Sequence, residues 1–112
     1  MTLEKRPWGH FETLRETDKC KVKMIYVKPG GRLSYQRHKH RQEHWFIVSG
    51  VATVTQSDSI FEYVAGESID IGYYELHRVA NDQAEPLIFT EIQTGSYFGE
   101  DDIERIEDDY NR

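Results

Sequence analysis

The stretch Gly30-Gly-Arg-Leu-Ser-Tyr-Gln-Arg-His-Lys-His-Arg-Gln-Glu-His-Trp-Phe-Ile-Val-Ser-Gly50 decides how the rest of this chain is read. Successive side chains of a strand point to opposite faces, so Gln36 and His38 look the same way. After the polar residues Lys39 to Gln42, the run from Glu43 to Val48 reads as the next strand, and Glu43 at its head can return to the same interior. His77, which follows further along, is a fourth side chain able to bind a divalent ion. The metal ligands expected here are therefore Gln36, His38, Glu43 and His77, with His40 as second choice because it continues the same alternation. Two imidazoles with oxygen donors suit a borderline to hard divalent ion: zinc first, with Mn, Co, Ni or Fe(II) as alternatives.

Working outward, short β-rich runs recur between turn formers: Phe11 to Arg15, Lys21 to Lys28, Leu33 to His38, Glu43 to Val48, Val51 to Gln56, Ile60 to Val64, Ser68 to Ile71, His77 to Ala80 and Leu87 to Gln93. The separators include Pro29-Gly30-Gly31, Ser49-Gly50, Ser57-Asp58-Ser59, Ala65-Gly66 and Asn81-Asp82, which suit antiparallel meanders. An all-β sandwich or small barrel is the expected fold. Only the end differs. Ile103, Ile106 and Tyr110 fall at helical spacing behind acidic residues that suit a helix start, which predicts a short C-terminal helix over one end of the sheet. The strand from Glu43 to Val48 places Trp45 and Ile47 on one face and Phe46 and Val48 on the other. Burial of both faces is expected, either under a chain terminus or under a second subunit in a homodimer.

The 112 residues, 38% of them hydrophobic, suffice for one core, and a single domain over 1–112 is expected. No apolar run approaches a membrane span, and the first residues lack the apolar stretch of a secretory signal, which predicts a cytoplasmic protein without membrane contact. The single cysteine, Cys20, can form no intrachain disulfide. A net charge of -6 argues against nucleic acid as a partner but leaves room for a local basic patch at Arg37 to Arg41 that binds a small anion.

The frame Gly30-x5-Gln36-x-His38-x4-Glu43-x6-Gly50 resembles the first motif of the cupin superfamily, with Gln36 where a first His is usual. Gly66, Gly72, Tyr74, His77 and Asn81 match the second cupin motif in spacing, with Gly72 in place of Pro and Tyr74 in place of Gly. The resemblance implies a double-stranded β-helix, a jelly-roll barrel. Arg6-Pro-Trp-Gly9, Val27 to Ser34, His40 to Trp45 and Gly99 to Ile103 are closer still to the isomerase domain of type II mannose-6-phosphate isomerases. That family usually joins this domain to a guanylyltransferase, and no nucleotide-binding residue is carried over here.

This resemblance implies interconversion of mannose 6-phosphate and fructose 6-phosphate, with a small sugar phosphate as partner. A metal would polarise the carbonyl. His40 and Glu67 are candidates for moving the proton, with His44 beside them, and Arg78, Arg41 and Lys39 are candidates for the phosphate. Two other classes compete: a sugar or sugar-nucleotide binding cupin without turnover, favoured if the turn at Gly72 and Tyr74 fills the pocket, and an Fe(II) dioxygenase, disfavoured by Gln36 where imidazole is usual. Plain readings stand beside these. His10 lies outside both motifs, His44 points opposite to Glu43, the Arg-Pro-Trp-Gly turn reads as packing, and strand alternation turns Arg37 and Lys39 away from the metal face.

Overall fold

The computed structural model describes residues 2–111. Eleven strands run in chain order: β1 Thr2–Arg6, β2 Gly9–Glu16, β3 Cys20–Val27, β4 Tyr35–His38, β5 Arg41–Ser49, β6 Val51–Gln56, β7 Ser59–Val64, β8 Ser68–Ile71, β9 His77–Ala80, β10 Leu87–Gly95 and β11 Ile103–Glu107. They form two antiparallel sheets, one ordered β1-β2-β3-β10-β5-β8 and the other β11-β4-β9-β6-β7. Consecutive strands repeatedly switch sheets, as a jelly roll requires.

Turn chemistry sets the local geometry. Gln56 pairs with Ser59, so Ser57 and Asp58 form a two-residue hairpin loop, both with positive φ (46° and 73°), as the primed turns that match strand twist demand. At the Arg-Pro-Trp-Gly turn, a Cβ on Gly9 would collide with the backbone carbonyl of Tyr26, so only glycine lets β2 lie this close to β3. Trp8 of that turn is buried and joins Phe11, Ile25, Ile47, Val54, Leu87 and Phe89 in the core between the sheets.

Two expectations are corrected. The C-terminal segment is no helix: Glu100–Asp102 makes a single 3-10 turn, and β11 follows. β4 otherwise has an open edge, and its backbone groups are satisfied by antiparallel pairing of Ile103 with His38 and of Glu104 with Arg37, the latter reinforced by ion pairs at 2.9 and 3.0 Å. The helical spacing is incidental, since Ile106 is half exposed. Nor does either terminus cover the outer face of β5. Phe46 and Val48 are 44% and 43% exposed, so covering by this chain itself is ruled out among the described residues.

Candidate functional site

The inner face of the larger sheet changes character along its strands. Opposed residues of antiparallel strands share a face, so the registers can be read as rows. Ile25, Phe89 and Ile47 form one row, all buried. The next row toward the mouth is Lys23, Glu91 and Trp45, followed by Gln93 beside Glu43. Every one of these side chains is buried. Across the barrel the smaller sheet presents His38 from β4 and His77 from β9, with Gln36 opposite His77 in register.

His38, Glu43 and His77 converge, with one ligand atom of each lying within 4.8 Å of the others. The ring centroids of the two histidines are 4.8 Å apart. His77 Nδ1 donates to the carbonyl of Glu75 at 2.8 Å, which leaves Nε2 with its lone pair free, and that buried atom has no hydrogen-bond partner. His38 Nδ1 is likewise buried and unpartnered, 3.5 Å from Glu43 Oε2. On its other side His38 Nε2 accepts from Arg41 Nη2 at 3.1 Å and from Gln36 Nε2 at 3.3 Å, while Gln36 Oε1 accepts from Ser34 at 2.6 Å. Trp45 Nε1 donates to Glu43 Oε1 and Arg41 Nε to Glu43 Oε2, both at 2.9 Å. The orphaned lone pair of His77 Nε2 and the His38 imidazole beside an oriented carboxylate fit a divalent ion of the zinc or Fe(II) type, which would satisfy the nitrogen that burial otherwise leaves unpaired.

Electrostatics favours the ligating forms. Burial, then the charges of Arg41 and His77, depress His38 to about 3, so its ring is neutral near pH 7. Burial alone would raise Glu43, but Arg41 and then His77 hold it below the usual carboxylate range. Its neighbour Glu91 is pushed the other way by burial and by the Glu43 carboxylate, and Gln93 Nε2 donates to Glu91 Oε2 at 2.7 Å.

Other expected site residues lie apart. His40 is half exposed and pairs with Asp102 at 2.9 Å, outside the ligand cluster. Glu67 is exposed in the turn before β8, where it accepts the Val64 N–H, and its carbonyl bonds to Ile47, well along β5 from Glu43. Lys39 is exposed on the turn after β4. Arg78 takes the face opposite His77 and holds the C-terminal segment, donating to Leu33 O at 2.8 Å and Glu107 O at 3.2 Å; a guanidinium so engaged does not converge on the cluster. Arg41 alone of the three phosphate candidates points inward. His44 faces out and pairs with Asp70, and His10 stacks on Tyr26.

The turn before His77 carries Tyr74 outward. Tyr74 adopts φ 61°, the left-handed region in which glycine is cheapest, and its side chain is 57% exposed and outside the cleft lining. The feature that favoured a filled pocket is thereby removed. That cleft is lined by Gln36, Arg41 and Glu91 among others and has a cavity volume of about 50 Å³.

Residues 2–108 match the family model described as mannose-6-phosphate isomerase C-terminal. The chain belongs to this family. It is 50% identical over 107 residues to the alginate biosynthesis protein AlgA of Pseudomonas aeruginosa, covering 96% of this chain and 22% of that protein. With a mannose-1-phosphate guanylyltransferase of Salmonella muenchen it shares 44% identity over 102 residues, covering 91% of this chain and 22% of the relative. The chain thus spans about a fifth of the length of these curated relatives. Among solved structures, a Klebsiella pneumoniae protein with a double-stranded β-helix domain superposes with TM-score 0.75 at 24% identity, over 85% of this chain and 76% of the other. This member of the mannose-6-phosphate isomerase C-terminal family therefore has the cupin-type double-stranded β-helix fold. Among the described residues, no helix is long and apolar enough to cross a membrane.

Proposed function

We propose that this chain is a metal-dependent aldose-ketose isomerase that interconverts mannose 6-phosphate and fructose 6-phosphate. The observation that carries the reading is the buried convergence of His38, Glu43 and His77, beside a cleft lined by Gln36, Arg41 and Glu91, in a chain of this family. His38, Glu43 and His77 would hold the ion, with Gln36 beside them; zinc is the first expectation. When bound, the ion would polarise the sugar carbonyl and stabilise the charge that develops on its oxygen.

The rest falls to the protein's own side chains. Glu91 replaces His40 and Glu67 as the group that moves a proton between adjacent carbons, because it is buried next to Glu43 and faces the cleft. Gln93 orients its carboxylate, and Trp45 and Arg41 orient that of Glu43. The apolar rows behind exclude water from the site.

Metal analysis combined with a coupled assay of mannose 6-phosphate isomerisation tests the reading. Glu91→Gln is expected to keep metal and lose kcat by about a hundredfold or more. A metal-loaded chain that turns over no hexose phosphate would sink the isomerase reading and favour a sugar-binding cupin. A homodimer, with a second copy over Phe46 and Val48, belongs to the same proposal; sedimentation at twice the 13.2 kDa chain mass is expected, and a monomer at all concentrations would remove it.

A further inference from the structure

The cleft beside the ligand cluster is lined by several cations, of which only Arg41 also bonds to the cluster. Lys23 is buried, an unusual place for an ammonium group. Its Nζ sits 4.1 Å from the Phe11 ring centroid and 3.8 Å from Glu100 Oε2, too far for a hydrogen bond. Arg41 Nη1 is also buried, has no hydrogen-bond partner, and lies 3.7 Å from the same Glu100 oxygen. Arg41 is paired with Glu43 through Nε, and its Nη1 shares with Lys23 one loosely held carboxylate oxygen, carried by a side chain that is 42% exposed. Burial of such charge is costly unless an anion completes it.

More cations line the same cleft. Arg105 stands opposite Gln36 in the β11–β4 register, so it faces the cleft, and it makes no ion pair among the described residues. Arg6 also lines the cleft, over the Phe11 ring at 4.9 Å from its centroid, tied to Glu4 at 3.3 Å. The acid on the cleft wall, Glu91, is occupied with Glu43 and Gln93.

We infer that Lys23, Arg41 and Arg105, together with Arg6, form a phosphate subsite at the barrel mouth, and that Glu100 acts as its counter-ion when no phosphate is bound. That the phosphate is carried by a hexose rests on the isomerase reading; the subsite itself does not. A phosphate monoester presents three oxygens at hydrogen-bonding distance where Glu100 now offers one at 3.7–3.8 Å, so exchange replaces weak contacts by charge-assisted bonds.

Calorimetric titration of the whole chain with inorganic phosphate, and separately with mannose 6-phosphate and mannose, tests this. Arg105→Ala, at an exposed position that leaves the core intact, is expected to weaken phosphate binding about tenfold, and Lys23→Met by at least as much. Glu100→Gln is expected to tighten it several-fold, while Arg78→Ala leaves it unchanged. Wild-type phosphate affinity in both Arg105→Ala and Lys23→Met, with melting curves confirming a folded chain, would overturn the subsite. So would a loss in Arg78→Ala equal to that in Arg105→Ala. If phosphate binding follows this pattern but no hexose phosphate is isomerised, the isomerase reading fails and the subsite stands. If isomerisation proceeds with unchanged KM in both cleft variants, the subsite fails and the isomerase reading stands.

Discussion

The two ends of this barrel are built on the same strands and obey opposite rules. Toward one end the rows of β3, β10 and β5 are Ile25, Phe89 and Ile47, an apolar core of the kind that supplies folding free energy. Two residues further along, the row becomes Lys23, Glu91 and Trp45, then Gln93 and Glu43, equally buried but polar. The difference teaches that burial has two uses here. At one end it removes hydrocarbon from water; at the other it strips water from groups whose protonation and charge must be set by their neighbours.

Substituting one residue at each end should separate the two uses. Phe89→Ala is expected to cost about 3–5 kcal/mol of stability, read by urea unfolding, while the folded fraction binds metal as before. His77→Ala should do the reverse, weakening metal binding more than the roughly hundredfold typical of changes to a ligand's hydrogen-bond partner, with a smaller stability loss. If Phe89→Ala altered metal affinity in the folded fraction, the two ends would not be separable. A smaller effect comes from pH. His38 in the folded protein is depressed to about 3 from an ordinary 6.5, so its contribution is complete above pH 6.5 and is lost as pH falls toward 3. Glu91, raised by burial, acts in the opposite sense, gaining stability as pH falls below neutrality. Metal-free wild type should therefore lose more stability than His38→Gln between pH 6.5 and 4, by at most about 3 kcal/mol. Equal acid slopes would show that the His38 environment is misread. Smallest is Tyr74→Gly, expected to leave stability unchanged or raise it by up to about 1 kcal/mol, because relief at φ 61° is offset by the entropy of glycine in the unfolded chain.

Alternation made much of this legible before any coordinates. The two-residue steps that put Gln36 and His38 on one face also put Arg41 with Glu43, and Glu91 and Gln93 with Leu87 and Phe89. Starting the strand at Glu43 hid the first of these, and Leu87 to Gln93 was read as a strand with no role given to Glu91 or Gln93. The same rule turns Arg78 away from His77, so its assignment to phosphate contradicted a signal already present. What no local pattern carried was β11. Whether Ile103 to Glu107 becomes helix or strand depends on an open edge at β4, far away in the chain, which only the assembled sheet supplies.

That distant pairing has a consequence for the order in which the molecule is made. The hairpin of β6 and β7 closes over two residues, whereas Arg37 meets Glu104 across a separation of 67. Loop closure of that length costs entropy that only later contacts repay, so β11 should dock on β4 after the apolar end has condensed. Gln36 and His38 sit on β4, the strand whose edge waits for β11. The chemistry of this protein is thus expected to be the last thing it assembles and, in amide exchange, the first to open.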